Sequence, residues 1–220
     1  FNTEVEAFFK KMNFPFTVGY GMTECAPIIT YDDWQEEKLY SCGKAAPNMQ
    51  VKIKSADPQN IPGEILVKGD NVFMGYYKND EATAEVFTED GWFRTGDMGV
   101  LDADGCLFIK GRAKCMILGP SGQNIYPEEV ETVINSQPYV VDSLVIEDNG
   151  GLTALIYPDF FQGSKDGIRQ RDFQAYFDGV LTELNKELPN YAKLKKIEVM
   201  SEDFERTPKK SIKRYLYQRS

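Results

Sequence analysis

The sequence predicts an α+β protein with two parts, a β-rich part over residues 1–113 and a small α+β part over residues 114–220. Two observations lead to this prediction. Short runs of apolar and β-branched residues, separated by turn residues, fill the middle of the first part, and such runs are typical of strands. After Arg112 the pattern changes to a strand, a glycine loop and amphipathic helices. A chain of 220 residues can form one large domain or two small ones, and we place the boundary near residue 113.

The first part begins with a predicted helix over residues 2–12, followed by a buried strand that runs into a glycine turn. Three short strands, one short helix and a hairpin turned at Ala-Asp-Gly come next. The buried strand is predicted over residues 14–21, and the three short strands over 49–55, 63–69 and 71–77. The short helix is predicted over residues 79–87 and the hairpin over 98–112.

The second part contains a predicted helix that starts at Pro127, since proline is favoured in the first helical turn and two glutamates follow it. A hairpin with an Asn-Gly-Gly turn, a long amphipathic helix, a last strand and a basic helical tail complete the prediction. They are expected over residues 139–159, 167–187, 194–200 and 209–220.

Composition excludes several classes of chemistry. The chain has no histidine, which rules out Ser-His-Asp and Cys-His catalysis and the commonest zinc sites. A net charge of −9 argues against broad nucleic-acid binding. The four scattered cysteines form no CxxC pair and indicate a reduced, cytoplasmic protein. No signal peptide and no apolar run of the ~20 residues that span a bilayer are recognised, so we expect no transmembrane segment.

One carboxylate, Asp97, stands between Gly96 and Gly99 after an aromatic and basic run, "GWFRTGDMG". A carboxylate has two acceptor oxygens at a fixed spacing and can bind both hydroxyls of a vicinal diol such as a ribose. The glycines would let the backbone turn and admit a sugar. Taken alone, the same pattern also fits an ordinary polar turn between strands.

A second group of functional residue types lies in "YGMTE", residues 20–24. Tyr20 can stack on a purine, Thr23 can donate to a phosphate oxygen, and Glu24 can hold Mg²⁺, which takes few protein carboxylates. Arg112 ends a strand ahead of a glycine loop and can reach ribose or phosphate. A strand that leads into a helix N-terminus is the alternative interpretation of residues 20–24.

The order of the motifs is more specific than any one of them. Y-G-x-T-E is followed by "GEILVKG", by "GWFRTGD" and by Gly-Arg at 111–112. In this series the chain resembles the adenylate-forming enzymes, which include acyl-CoA synthetases, luciferase-like enzymes and nonribosomal adenylation domains. The resemblance runs from about residue 14 to the end. It implies that residues 1–113 are a β-rich remnant of a large AMP-binding domain and that residues 114–220 are a small mobile domain.

The resemblance implies activation of a carboxylic acid in two steps. ATP and the acid give an acyl-adenylate and pyrophosphate, and a thiol, usually that of coenzyme A, then displaces AMP. Tyr20 would lie against adenine, Thr23 on phosphate and Glu24 on Mg²⁺. Asp97 and Arg112 would hold the ribose. Gly21 would lie where the backbone closely approaches the substrate carboxylate and the adenylate.

The resemblance also implies roles in the second part. Lys114 matches the hinge position, and the loop "GPSGQN", which contains Gly122, matches the loop used in thioester formation. The family's usual T-x-x-G-K-x-x-[RK] reads "RTPKKSIKR" at 206–214. The lysine position holds Ser211 and the glycine position holds Lys210, which we expect to replace the lysine. Lys209 and Lys213 are weaker alternatives.

The family's upstream phosphate-binding loop is absent from these residues, so we interpret the chain as the C-terminal portion of a longer, cytoplasmic synthetase. The residue pattern in and around "NVFMGYYKNDEATAEVF" is most similar to that of bacterial long-chain fatty-acid–CoA ligases. Expected ligands are therefore a fatty acid, ATP, Mg²⁺ and coenzyme A. Peripheral membrane contact would follow from a membrane-dissolved substrate. Two other hypotheses stay open: an acyl- or aryl-acid ligase that loads a carrier protein, and a noncatalytic nucleotide- or partner-binding module.

Overall fold

A computed structural model of the chain describes residues 3–120, 122–208 and 210–219. The chain divides into two compact units, Phe1–Lys114 and Cys115–Ser220. Each unit contains helices and sheets, so the predicted mixed α+β class is confirmed. In the described ranges, none of the helices has the length and apolar character needed to cross a bilayer.

The first unit is built on two antiparallel sheets. One has three strands in the order β1-β2-β3, and the other is a four-stranded meander in the order β4-β5-β6-β7. A core that includes Ile29, Ile65 and Phe93 joins apolar residues of these sheets. The elements are α1 (Thr3–Lys11), β1 (Tyr20–Gly21), β2 (Ile28–Tyr31), β3 (Lys44–Ala45), β4 (Met49–Lys54), β5 (Gly63–Gly69), α2 (Asp80–Val86), β6 (Phe93–Leu101) and β7 (Leu107–Arg112).

Most predicted elements of the first unit are present. The β6–β7 hairpin turns where predicted, and the Asn79 side chain accepts from the Ala82 amide at 3.1 Å, so Asn79 caps α2. The helix α1 is also present, but among its described residues the buried one is Glu6, while Phe8 and Met12 are exposed.

Two strand predictions for the first unit are wrong. Residues 14–19 form no strand because Pro15 lacks a backbone donor and the Val18 amide donates to the Glu37 carboxylate at 2.8 Å instead of to a neighbouring strand. Residues 71–77 form no strand, because Gly75 takes a φ of +148° and the Tyr76 amide donates to the Thr83 hydroxyl at 2.9 Å.

The second unit packs helices against a three-stranded sheet in the order β10-β11-β12. Strands β10 and β11 are antiparallel, and β11 and β12 are parallel. Ile134, Val145, Phe173 and Phe177 lie in its main core. The elements are β8 (Ile117–Leu118), β9 (Asn124–Ile125), α3 (Pro127–Asn135), β10 (Val140–Asp148), β11 (Gly151–Pro158), α4 (Phe160–Lys165), α5 (Phe173–Glu187) and β12 (Leu194–Val199).

The second unit confirms the Pro127 helix start, the Asn-Gly-Gly hairpin and the last strand. The long helix begins later than predicted, since α4 ends at Lys165, Gly167 takes a φ of +87° and a separate 3₁₀ turn over Gln170–Asp172 precedes α5. The prediction of a helical tail is wrong. Its helical structure among the described residues is one 3₁₀ turn, Arg214–Leu216, because the Arg214 side chain is held by the body of the unit.

Arg214 is held by a buried acid on α3. One oxygen of the Glu131 carboxylate accepts from the Val145 amide at 2.7 Å, and the other accepts from the Arg214 guanidinium. Burial raises the pKa of Glu131 to about 7, and the adjacent Arg214 opposes that rise. The pair therefore ties the tail to the helix and the sheet at once.

We expect Arg214→Ala to destabilise the second unit by about 3–5 kcal/mol, because a buried acid then loses its cation. The decrease in the free energy of unfolding caused by this substitution should be largest near pH 8 and smaller near pH 5. Burial favours the protonated acid in the folded state, so stability falls as pH rises from the unfolded pKa toward the higher folded pKa. Hydrogen exchange of the α3 amides, measured across this pH range, would report the change.

The matched control is Arg169→Ala, because Arg169 pairs with Asp172 at 2.6 Å where both side chains are well exposed. An exposed pair contributes about 0–1 kcal/mol, so this variant should exchange almost as the wild type does. Equal and small effects of both substitutions would contradict the structural role of the Arg214–Glu131 pair.

Candidate functional site: a carboxylate held between two strands and a second acid on the next turn

Asp97 lies in the middle of β6 and is directly opposite Arg112 on β7. The Arg112 guanidinium donates to Asp97 Oδ1 at 2.6 Å, and the Tyr20 hydroxyl donates to Asp97 Oδ2 at 2.5 Å. Asp97 is 8% exposed, while the Arg112 side chain is 52% exposed. Three segments that are distant in the sequence therefore meet at one carboxylate.

The backbone at Asp97 is fixed by its neighbours. The Asp97 amide donates to the Thr95 hydroxyl at 3.1 Å, and that hydroxyl donates to the Ile65 carbonyl at 2.9 Å on β5. Gly96 has a φ of +72°, a conformation that side chains disfavour, and a Cβ there would lie 3.6 Å from Arg112 Nη2. The glycine before Asp97 thus permits the bend that brings the carboxylate beside Arg112.

The arrangement leaves Asp97 able to accept more hydrogen bonds. A carboxylate offers about four lone-pair sites, and Tyr20 and Arg112 occupy one on each oxygen. Burial and the adjacent acid raise the pKa of Tyr20 well above its ordinary value, so this hydroxyl stays protonated and donates. The geometry is suited to a ligand that brings two hydroxyl donors, as a ribose does.

Tyr20 is 9% exposed, and its hydroxyl is committed to Asp97. The sequence suggested a stacking surface for this ring, and that role stays a prediction. The structure shows that Tyr20 and Asp97, which are 77 positions apart in the sequence, are joined by a hydrogen bond. No local sequence pattern indicates this bond. Tyr20 thus helps to hold the Asp97 carboxylate, the candidate ribose-binding group.

The rest of "YGMTE" forms a tight turn after β1. Thr23 and Glu24 lie on a single 3₁₀ turn, Thr23–Cys25, with Thr23 exposed and Glu24 half-buried. Gly21 must be a glycine here, since a Cβ would lie 2.1 Å from the Pro27 carbonyl oxygen. The close approach that the structure shows for Gly21 is to Pro27, and its predicted approach to a substrate remains a prediction.

Glu24 Oε1 accepts from the Tyr76 hydroxyl at 3.2 Å, a contact that the sequence did not indicate. No group of three or more acidic or sulfur side chains that would hold a metal is found among the described residues. A single half-buried carboxylate still fits Mg²⁺, which fills most of its shell with water and substrate phosphates. Glu24 is therefore the candidate magnesium ligand of this unit.

Two predicted residues lie close to the boundary between the units. Lys114 is exposed on a 3₁₀ turn, Ala113–Cys115. Gly122, with a φ of +80°, closes the turn between β8 and β9, where its amide donates to the Gly119 carbonyl at 2.9 Å. No heavy atom lies within 4 Å of an ideal Cβ at Gly122, so the turn is open around it.

The basic segment near the C-terminus forms a small hairpin. The Thr207 amide donates to the Ser211 carbonyl and the Lys210 amide to the Thr207 carbonyl, both at 2.8 Å. Lys210 has a φ of +64°, the left-handed backbone for which glycine is favoured. Lys213 pairs with Glu205 at 3.1 Å, and Lys209 lies outside the described residues. Within the described part of the chain, no ion-pair partner is seen for Lys210.

A cavity of about 480 Å³ in the second unit was not predicted. It lies beside the β8–β9 turn and the tip of the β10–β11 hairpin, and Tyr191 and Lys193 line it together with Gly119 and Gly150. The cavity offers an aromatic ring and a cation beside two glycines. Residues of the loop that the sequence singled out, among them Gly119 and Gln123, line it together with residues from 147–152 and 190–193, and no motif marks those two segments.

Comparisons with known proteins identify the family of the chain. Residues 1–77 match the family model described as AMP-binding enzyme, and residues 116–219 match the model described as AMP-binding enzyme C-terminal domain. A long-chain-fatty-acid–CoA ligase of Mycobacterium bovis is 32% identical over 216 residues, which cover 89% of this chain and 35% of that protein. An indoleacetate–CoA ligase of Aromatoleum aromaticum is 40% identical over 138 residues, which cover 60% of this chain and 27% of that protein.

Among solved structures, the o-succinylbenzoate coenzyme A synthetase of Bacillus subtilis with its acyl-adenylate intermediate superposes with a TM-score of 0.80 at 28% identity. That match covers 100% of this chain and 44% of the other. The chain thus spans about a third of the length of the first of these curated relatives. Both of its units match models of one family, and the chain belongs to the AMP-binding enzyme superfamily.

Proposed function

We propose that this chain is part of a long-chain fatty-acid–CoA ligase, which activates a fatty acid with ATP and transfers the acyl group to coenzyme A. The observation that carries the proposal is the buried Asp97 carboxylate with Tyr20 and Arg112 on its two oxygens. Residues 1–113 would belong to the large AMP-binding domain and residues 114–220 to the small mobile domain. The 32% identity to a long-chain-fatty-acid–CoA ligase supports the choice of acid.

In the first half-reaction, Asp97 accepts the two ribose hydroxyls on its remaining lone pairs, and the exposed part of Arg112 contacts the ribose. The Tyr20 ring lies against adenine, and the exposed Thr23 hydroxyl donates to a phosphate oxygen. Gly21 gives the adenylate room at the backbone. These contacts position the α-phosphate for attack by the acid, and positioning is the main source of catalysis in such transfers.

Glu24 would hold Mg²⁺, which, when bound, neutralises charge on the phosphates of ATP. The Glu24 carboxylate is half-buried and accepts from the neutral Tyr76 hydroxyl, with no basic partner seen among the described residues. Its negative charge is therefore available to a cation. One protein carboxylate is enough where phosphates and water supply the other ligands.

Lys210 is our candidate for the cation that contacts the acid and the phosphate during adenylation. Its backbone is held in a turn, while no ion pair of its side chain is seen in the described part of the chain. Lys213 is paired with Glu205, which makes it the weaker candidate. Ser211 supplies no cation, and this favours a second hypothesis: a nucleotide-binding module that does not catalyse adenylation.

The second half-reaction would use the second unit. Lys114 would be the hinge, and the turn at Gly122 would admit the thiol arm of coenzyme A. The cavity beside that turn suits the nucleotide end, because Tyr191 offers a ring for the adenine and Lys193 a cation for phosphate. Peripheral contact of the whole protein with membranes, where long-chain acids dissolve, remains part of the proposal.

The choice of acid can be tested on the full-length protein by comparing palmitate, indoleacetate and o-succinylbenzoate in thioester formation with coenzyme A. We propose that palmitate gives the highest kcat/KM. A preference for an aryl acid would favour the kind of activity named for the Aromatoleum relative. Adenylate formation without transfer to coenzyme A, but with transfer to a carrier protein, would favour the carrier-loading alternative.

Asp97→Ala should weaken ATP binding about 10- to 100-fold, because two charge-assisted hydrogen bonds to the ribose are lost. Asp97→Asn keeps one acceptor oxygen and should fall between this variant and the wild type. Calorimetric titration with ATP, and with 2′,3′-dideoxy-ATP as the matched ligand, measures the effect. If the dideoxy nucleotide binds the wild type as tightly as ATP does, Asp97 is not the ribose acid.

Lys210→Ala should slow adenylation about 100-fold, as expected for loss of one cation at the phosphate, and slow thioester formation from supplied acyl-AMP much less. Pyrophosphate exchange measures the first step and release of AMP the second. Ser211→Lys in the Lys210→Ala background should restore adenylation. Normal adenylation by Lys210→Ala would show that this lysine was wrongly chosen.

Lys193→Ala should raise the KM for coenzyme A about tenfold and leave pyrophosphate exchange unchanged, because one phosphate contact is lost in the second step alone. The control is Lys165→Ala, since Lys165 lies over the Phe161 ring on α4 and does not line the cavity. Dephospho-coenzyme A and pantetheine as acceptors would show which part of the cofactor Lys193 contacts.

A further inference from the structure

The segment from Asn71 to Tyr76 runs along the turn that carries Glu24. The side-chain nitrogen of Asn71 (Nδ2) donates to the Cys25 carbonyl at 2.6 Å and to the Ile28 carbonyl at 2.9 Å. The Phe73 amide donates to the carbonyl of Glu24 itself at 2.8 Å. The main chain on both sides of the Glu24 side chain is therefore fixed by one neighbouring segment.

The same segment reaches the carboxylate. The Tyr76 hydroxyl donates to Glu24 Oε1 at 3.2 Å, and this is the side-chain hydrogen bond that the structure shows for Glu24. Among the described residues no lysine or arginine forms an ion pair with that carboxylate. Its orientation thus depends on a neutral donor that leaves the negative charge in place.

Tyr76 is itself held on two sides. Its ring packs edge-on against Phe73 with centroids 4.9 Å apart, and its amide donates to the Thr83 hydroxyl at 2.9 Å. Gly75 makes this approach to α2 feasible, since a Cβ there would lie 2.6 Å from Thr83 Cγ2. The next residue, Tyr77, is 88% exposed and contacts the Lys78 ammonium instead.

We propose that Tyr76 is a positioning residue for the magnesium-binding carboxylate of Glu24. The inference rests on the proposed function, in which Glu24 holds Mg²⁺. The phenol orients one oxygen of the carboxylate, and the carboxylate would then bind the cation through its remaining lone pairs. A neutral donor suits this purpose because a lysine or arginine in its place would neutralise the charge that attracts the metal. Donors behind a ligand typically contribute 10- to 100-fold to metal affinity.

The test compares Tyr76→Phe with Tyr77→Phe in the full-length protein. Phenylalanine keeps the ring contact with Phe73 and removes only the hydroxyl, so the fold should be retained and the melting temperature should stay close to that of the wild type. Mn²⁺ is titrated as a paramagnetic substitute for Mg²⁺ in the presence of a nonhydrolysable ATP analogue. We expect the Mn²⁺ Kd to rise about tenfold in Tyr76→Phe and to stay unchanged in Tyr77→Phe.

Activity gives a second measurement. In pyrophosphate exchange, Tyr76→Phe should need about tenfold more Mg²⁺ for half-maximal rate, with the rate at saturating Mg²⁺ close to the wild-type rate. Loss of rate without a change in Mg²⁺ dependence would indicate a merely structural role and would overturn the proposal. Unchanged Mn²⁺ affinity in Tyr76→Phe would do the same.

Glu24→Gln separates this inference from the function on which it rests. If Glu24→Gln abolishes Mn²⁺ binding and Tyr76→Phe has no effect, Glu24 is the metal ligand and only the positioning role fails. If Glu24→Gln leaves Mn²⁺ binding intact, both the metal role and the positioning role fail. The expected result is that Tyr76→Phe adds nothing once Glu24 is changed, because the hydroxyl acts through that carboxylate.

Discussion

The buried carboxylate of Asp97 is the constraint on which the candidate site of the first unit depends. A carboxylate that is 8% exposed needs hydrogen-bonding or cationic partners, because burying an unpaired charge is costly, and its partners come from two different segments. Tyr20 is the first residue of β1, the strand that leads into the turn with Thr23 and Glu24, and Arg112 is the last residue of β7. The hydrogen bonds of one acid thus hold the strand before the Glu24 turn and the end of the hairpin.

Asp97 and Glu24, the two acids of the candidate site, have different electrostatic surroundings. Asp97 accepts from a guanidinium and a protonated phenol, while Glu24 accepts from a phenol alone. An acid already paired with a cation suits neutral hydroxyl donors such as those of a ribose. An acid without a cationic partner suits a divalent ion. The surroundings of each carboxylate therefore agree with the role proposed for it.

The sequence predicted most elements with strong local signals. The β6–β7 hairpin, the α2 cap at Asn79 and the α3 start at Pro127 each depend on a few adjacent residues. The strand predictions over residues 14–19 and 71–77 are wrong, because the apolar patterns fit strands while the Val18 amide donates to the Glu37 side chain and the Tyr76 amide to the Thr83 side chain. Such partners are set by tertiary contacts, and residue patterns do not show them.

The candidate site shows the same difference between features that local sequence patterns indicate and features that only tertiary contacts create. Asp97, Arg112 and Glu24 could be proposed from motifs, because each lies in a short segment with a recognisable spacing. The Tyr20–Asp97 and Tyr76–Glu24 hydrogen bonds span 77 and 52 residues. Glu131 and Arg214 are 83 residues apart. Pairs of this kind need the folded arrangement, and they are the contacts that orient the residues predicted from motifs.

The tail forms its turn without the residue that this backbone favours. Left-handed backbone at a residue other than glycine costs about 1–2 kcal/mol, yet Lys210 has a φ of +64°. The backbone hydrogen bonds from Thr207 to Ser211 and from Lys210 to Thr207 close the turn, and Arg214 anchors its far end to Glu131. These contacts offset the cost of the left-handed backbone, so tertiary contacts set the conformation of Lys210 and the intrinsic preference of lysine does not.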